Sequence, residues 1–134
     1  VTNKTKDTIA GLATVIVLAV GIFIYSEFQA ARFRKRILEN PVYTTGKVTS
    51  IKYANKHGYI VSFTYSIDFR SFSSTANGIR YGKLRDVIVS RSFPVIANAV
   101  DPELCNILVF PEDFKNYNLK MSDSLQWVLE LDDQ

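Results

Sequence analysis

Few side chains in this sequence could do acid–base or covalent chemistry. There is one cysteine, Cys105, one histidine, His57, and two adjacent carboxylate pairs, Glu112-Asp113 and Asp132-Asp133. A thiol beside an imidazole can become a nucleophile, and the spacing alone does not forbid these two from meeting. Their settings argue against it. His57 sits in the polar turn Asn55-Lys56-His57-Gly58, and Cys105 leads into an apolar stretch where a small buried side chain is the default. A structural zinc site wants four Cys or His ligands, and the chain holds one of each. Glu112-Asp113 follow Pro111, where carboxylates would face the positive end of a helix dipole. Asp132-Asp133 belong to a solvated tail. No G-x-S-x-G elbow, phosphate loop, dinucleotide glycine pattern or H-E-x-x-H occurs. The expectation is a non-enzymatic protein with no catalytic, cofactor-binding or metal-ligating residue and no evident small-molecule substrate.

The elements that would position any such groups begin with Ile9–Tyr25, IAGLATVIVLAVGIFIY, an apolar run with no charge. Roughly 17–20 residues at about 1.5 Å each cross the hydrocarbon core as a helix that satisfies its own backbone hydrogen bonds. Ile9, Leu12, Val15, Ile16, Leu18, Ile22, Phe23, Ile24 and Tyr25 are the expected membrane anchor. A buried core helix would show a polar face, and this run has none. A cleavable signal peptide would need small residues at its exit, which reads Ser26-Glu27-Phe28-Gln29-Ala30-Ala31. The reading is an uncleaved single-pass anchor. Lys4 and Lys6 precede it, while Arg32, Arg34, Lys35 and Arg36 follow it closely. The excess on the C-terminal side puts the following domain in the cytoplasm, with those four residues against lipid headgroups. One cysteine excludes an intrachain disulfide and fits a reducing compartment.

Asn40-Pro41 ends the helical pattern. The period then becomes two, which divides the chain into residues 1–40 (flank, anchor and basic extension), residues 41–118 (a small β domain) and residues 119–134 (an acidic tail or short helix). Tyr43–Tyr53 is a predicted strand with a bulge near Gly46 or Ser50. Tyr59, Val61, Phe63, Tyr65, Ile67 and Phe69 alternate on one face of the next strand, and Arg70–Ala76 is its hairpin partner. Lys83–Ser90 fits either a short helix or a strand entry. Ser92–Val100 is a strand whose Pro94 implies an edge or a strand start, and Ile107–Phe110 is a last short strand. The fold class is mainly β: one N-terminal transmembrane helix followed by a small antiparallel β sandwich or barrel with short helical additions.

Charge narrows the partners. Residues 1–40 carry six basic and three acidic side chains, whereas residues 41–134 carry ten of each. A neutral domain is a poor nucleic-acid binder. Within it, residues 41–99 hold eight basic groups against Asp68 and Asp86, and residues 100–134 hold eight carboxylates. Either the halves neutralise each other, or a basic surface lies near the membrane and the acidic end is free. In the tail, Ser122 or Ser124 could cap a short helix carrying Leu125, Trp127, Val128, Leu129 and Leu131. That helix either docks on the domain or offers an apolar face to a partner.

The order of features resembles a known pattern. Gly46-Lys47-Val48 opens a strand, Tyr59-Ile60-Val61-Ser62-Phe63-Thr64-Tyr65 is aromatic-rich, and Ser92-Phe93-Pro94-Val95-Ile96 leads to Asp101-Pro102. This is similar to a widespread bacterial family of membrane-anchored small β domains known only as a domain of unknown function. Its members carry a glycine ahead of the Pro-Val strand and a tyrosine within it, where this chain has Ser90 to Ser92 and Ala97. The resemblance covers about Thr45 to Phe110 and brings no catalytic residues. It implies a bacterial inner-membrane protein with an antiparallel β module. The functional expectation is a membrane-tethered interaction module, an accessory subunit of a larger membrane complex, with the bilayer and other membrane proteins as partners. The alternatives are an immunity-type inhibitor of a toxin and a membrane-proximal lipid or polyanion sensor.

Overall fold

Asn3–Glu39 form one unbroken helix, α1, in the computed structural model, which describes residues 3–132 apart from the side chains of His57 and Asp132. Its 37 residues amount to about 55 Å at 1.5 Å each, well beyond the roughly 30 Å hydrocarbon core. The chain divides into two units after Lys35. The last turn of α1 therefore belongs to the second unit, where Ile37 is fully buried.

The second unit is one five-stranded antiparallel sheet in the order β3-β2-β1-β4-β5. The strands are β1 (Pro41–Tyr53), β2 (Tyr59–Ile67), β3 (Arg70–Gly78), β4 (Ser92–Asn98) and β5 (Cys105–Ile107). β1 is the hub. Its first half, Pro41–Lys47, pairs with β4, and its second half, from Gly46, pairs with β2. The hand-over curls the sheet. At its centre Gly46 is buried, and a Cβ there would lie 2.6 Å from Val95 Cγ2, so only glycine fits this close approach. A bulge follows at once, since the register slips between Val48 and Ser50. Val48 is clamped on its other side, donating to the Arg91 carbonyl at 2.9 Å and accepting from the Ser90 amide at 2.8 Å.

The alternation expected of β2 holds as far as Ile67. Val61, Phe63, Tyr65 and Ile67 are buried, and they join Val48, Phe93, Val95, Ile96 and Ile107 among the sheet's core residues. Leu84, Ile88, Leu108, Val109 and Phe110 come from the connecting segments. Further core residues come from the last turn of α1, α2 (Pro111–Lys115) and the segment after it, α3 (Gln126–Asp132) and the 3₁₀ turn before α3.

Five expectations are corrected. The sheet is single and open, a half-barrel rather than a sandwich or closed barrel, because β3 and β5 remain unpaired edges. Phe69 is not on the buried face: it is fully exposed, at the second position of a two-residue turn with Asp68. Pro94 lies in an inner strand, and the last strand is Cys105–Ile107 rather than Ile107–Phe110. The two facts have one cause. Leu108 donates to the Pro94 carbonyl at 2.8 Å, but proline has no N–H to return, so the β4–β5 ladder stops there. Finally, Arg80–Leu84 is a 3₁₀ turn, and the residues up to Ser90 are irregular rather than helix or strand.

Candidate functional site

In the first unit, the expected anchor residues all point outward. From Ile9 to Tyr25 the large apolar side chains are 52–69 % exposed, on every side of the helix. The most apolar window has a mean hydropathy of 2.4, so this helix is long and apolar enough to cross a membrane. The one polar side chain in the run is satisfied locally, because the Thr14 hydroxyl donates to the Ala10 carbonyl at 2.9 Å. Beyond Tyr25, Phe28, Ala31, Arg32 and Lys35 fall on one helical stripe and line a shallow groove. Arg32 and Lys35 are exposed and Arg34 is half-buried; Arg36, already in the second unit, is exposed. None of the four forms an ion pair among the described residues.

In the second unit, Asn98 is the one buried polar residue among those described, and nothing in the strand pattern marked it. Its side-chain N–H donates to the Arg36 carbonyl at 2.6 Å, satisfying an orphan acceptor of the last helical turn. Its side-chain oxygen accepts from the amides of Val100 and Asp101 at 2.8 and 3.0 Å. Ala99 donates to the Asn40 carbonyl at 2.7 Å. One amide thus fastens the end of α1 to the turn after β4. The available signal was an asparagine two residues before a turn, the Asx pattern.

A polar cleft lies between the two sheet edges. Its volume is about 340 Å³, and Thr75, Asn77, Tyr81, Asn106, Asp113 and Tyr117 are among its lining residues. Asp113 is held above its ordinary pKa of 3.8, chiefly by burial; the amides of Phe110 and Val109 and the nearby Arg80 oppose that rise. Its carboxylate accepts from Phe110 at 2.9 Å and Val109 at 3.1 Å, which gives it the helix-start role expected of the Glu112-Asp113 pair. Glu112 pairs instead with Arg80, whose guanidinium stands 4.3 Å from the Phe110 ring centre. Burial and the charge of Asp113 both push the Tyr81 phenol upward. The Asn106 side-chain amide donates to the Tyr117 hydroxyl. Residues from β3, β5, α2 and the turn after β3 make this cleft, so no local motif announced it.

The remaining chemical candidates do not converge. Cys105 is buried in β5 opposite Ala97, which pairs with Val42 at the start of β1. The His57 backbone lies in the turn just past Tyr53 at the other end of β1, with its side chain outside the described residues. Asp133 also lies outside them, as does the Asp132 side chain. Near Cys105, the Tyr65 hydroxyl donates to the Pro102 carbonyl at 2.5 Å, and burial with the neighbouring thiol raises the phenol's pKa. In the tail, Leu125 and Val128 are buried within the second unit. Trp127 packs 6.0 Å from the Phe93 ring, with Arg91 5.0 Å over its own, and Leu129 and Leu131 are half-buried. The apolar face weighed as a partner contact is largely covered by the protein itself. The Ser122 hydroxyl caps the 3₁₀ turn Asp123–Leu125 by accepting from the Ser124 amide at 3.4 Å.

No family model matches this chain, and no curated protein or solved structure matches it.

Proposed function

We propose that this protein is a membrane-tethered, non-enzymatic interaction module, anchored once in a bacterial inner membrane and serving a larger membrane complex as an accessory subunit. One observation carries the reading. The run from Ile9 to Tyr25 exposes apolar side chains around the whole helix, with no polar face to turn to water. Hydrocarbon is the solvent that suits such a surface, at roughly 25 cal/mol per Å² of apolar area removed from water. Arg32, Arg34, Lys35 and Arg36, without an ion pair among the described residues, supply the headgroup contacts and, by the positive-inside rule, a cytoplasmic sheet unit. Tethering confines partners to one surface and raises their effective concentration.

Ser90 supports kinship with the bacterial family of anchored β domains. It falls within Ser90 to Ser92, the stretch where those proteins carry a glycine, and its φ of +69° is a conformation glycine adopts without strain. The acidic half of the second unit is partly engaged within the fold, Glu112 by Arg80 and Asp113 by the start of α2. That weakens the toxin-inhibitor alternative. The test has two steps. Membranes are washed with alkaline carbonate, and the chain is expected to stay in the pellet; recovery in the supernatant would overturn the anchor. Photo-crosslinking in intact membranes from exposed positions of the second unit should then yield defined hetero-adducts, and their absence at every position would overturn the interaction module.

A further inference from the structure

The two edges of the sheet are treated differently. β5 is three residues long, its ladder is stopped by Pro94, and its middle residue, Asn106, is tied to Tyr117. Such an edge offers little to another strand. β3 is nine residues long and pairs with β2 in unbroken register from Tyr59–Gly78 to Ile67–Arg70. It contains no proline, lysine or bulge, the usual devices that blunt an edge.

The turn fixes which of its backbone groups are free. Asp68 and Phe69 have φ values of 51° and 65°, the signature of a two-residue I′ hairpin. In that hairpin Ile67 and Arg70 exchange hydrogen bonds, and the alternation of the antiparallel ladder then points the N–H and C=O of Ser71, Ser73, Thr75 and Asn77 away from β2. None of these backbone groups bonds to another described residue. Their side chains are small, polar and exposed, so they do not cover the edge. At the Thr75–Asn77 end β3 faces β5 across the cleft, and Cα atoms of the two strands come within 8 Å. An intervening strand needs two spacings of about 4.8 Å, so that end is closed to it. The open part is Arg70–Ser74.

We propose that this open edge is a docking site for an extended, acidic segment of a different polypeptide, which adds to β3 as a further strand. The proposal deepens the interaction-module reading and rests on it. Main-chain hydrogen bonds from Ser71 and Ser73 supply the affinity common to strand addition, and side chains supply the choice of partner. On the inner face the docking strand meets Phe72, half-buried and stacked on Tyr65 at 5.6 Å, which favours an apolar residue opposite. Arg70 stands 5.7 Å over the Phe72 ring, exposed and without a carboxylate among the described residues. The stretch it belongs to, residues 41–99, carries eight basic groups against Asp68 and Asp86. A carboxylate on the segment completes that pair. A second copy of this chain has no carboxylate in its own β3 to meet Arg70, so edge-to-edge self-pairing leaves that charge unmatched.

The test uses the full chain in native membranes, with a photo-reactive residue at Ser71 and, as a control, at Thr64, which is exposed on an inner strand. A hetero-adduct is expected from Ser71 and not from Thr64, with the crosslinked peptide an Asp- or Glu-bearing extended segment. Two variants then challenge it. Ser73→Pro removes an outward-pointing N–H, so it spares the β2 ladder and blocks the docked strand. Arg70→Glu reverses the charge. Each should cut the Ser71 adduct at least tenfold while membrane retention and the thermal transition stay unchanged. If Ser73→Pro unfolds the sheet, Arg70→Glu decides alone. An undiminished adduct in a folded variant, a homodimer adduct at Ser71, or a basic crosslinked segment would each overturn the proposal. Adducts found only at other exposed positions would overturn the edge and leave the interaction module standing; no adduct anywhere would remove both.

Discussion

Ile9–Tyr25 and the inner face of the sheet are made of the same side chains, Val, Ile, Leu, Phe and Tyr, with opposite outcomes. From Ile9 to Tyr25 each large one is more than half exposed; in the sheet Val61, Phe63 and Val95 have 0–1 % exposure. Pattern separates them. In β2 the apolar residues alternate with Ser62, Thr64 and Ser66, so one face can meet water while the other is buried. In Ile9–Tyr25 no face is polar, and folding the helix against one partner surface would leave the rest uncovered. Apolar residues on a period of two call for a protein interior, and an aperiodic run of the same residues calls for a different solvent.

The two regions should therefore fail independently. The largest effect is expected inside the sheet. Phe63→Ala removes a nearly fully buried ring and should lower the stability of the second unit by about 3–5 kcal/mol. Thermal denaturation should show it, while the carbonate-washed membranes keep the chain. The converse is Leu18→Arg at the middle of the apolar run, which should disfavour insertion by about 3 kcal/mol. Membrane retention should fall with no change in the sheet's melting. Loss of both properties from either substitution would mean that the two regions depend on each other.

Asn98 joins them. Replacing it by alanine strands the Arg36 carbonyl and two amides, at about 1–3 kcal/mol. Hydrogen exchange should locate the loss at residues 36–40 and the turn after β4, leaving Ile9–Tyr25 untouched.

How much of this was legible follows from how local each cause is. The helix, the β1–β2–β3 hairpins and the start of α2 are set by periodicity, turn residues and proline, all of which lie within a few neighbouring residues. Three features depended on register, which no single segment specifies. The end of β5 is set by Pro94 on the neighbouring strand. The burial of Leu125 and Val128 is set by the distant core they enter. The cleft around Asp113 and Tyr81 exists only once β3 and β5 fail to close the sheet. The expected anchor residues form one surface because they are contiguous, whereas Cys105 and His57 fall at opposite ends of β1 because the sheet spaces them.

Phe69 sharpens the contrast at smaller magnitude. It is fully exposed, so burial does not explain it, and its φ of +65° is costly for a residue with a bulky side chain. Phe69→Gly should raise the stability of the second unit by about 1 kcal/mol, read as a higher melting temperature. A loss of stability instead would show that the ring makes an intramolecular contact.

The smallest expected effect is a pH dependence confined to the second unit. Burial raises the folded-state pKa of Asp113 above the 3.8 it has when unfolded. The folded state therefore holds this proton more tightly than the unfolded chain does. Its contribution to stability is complete below pH 3.8 and is lost as pH rises through the raised folded value. Asp113→Asn carries no titratable group and keeps an oxygen that can accept from the Phe110 amide. Relative to that variant, the parent protein should lose stability on going from the acid side of that window to neutral pH. Denaturant titrations of both proteins across the window measure the difference directly. A parent that gains stability relative to Asp113→Asn as pH rises would mean that the Phe110 and Val109 amides, with Arg80, outweigh burial, and that the carboxylate at the start of α2 is stabilised as an ion.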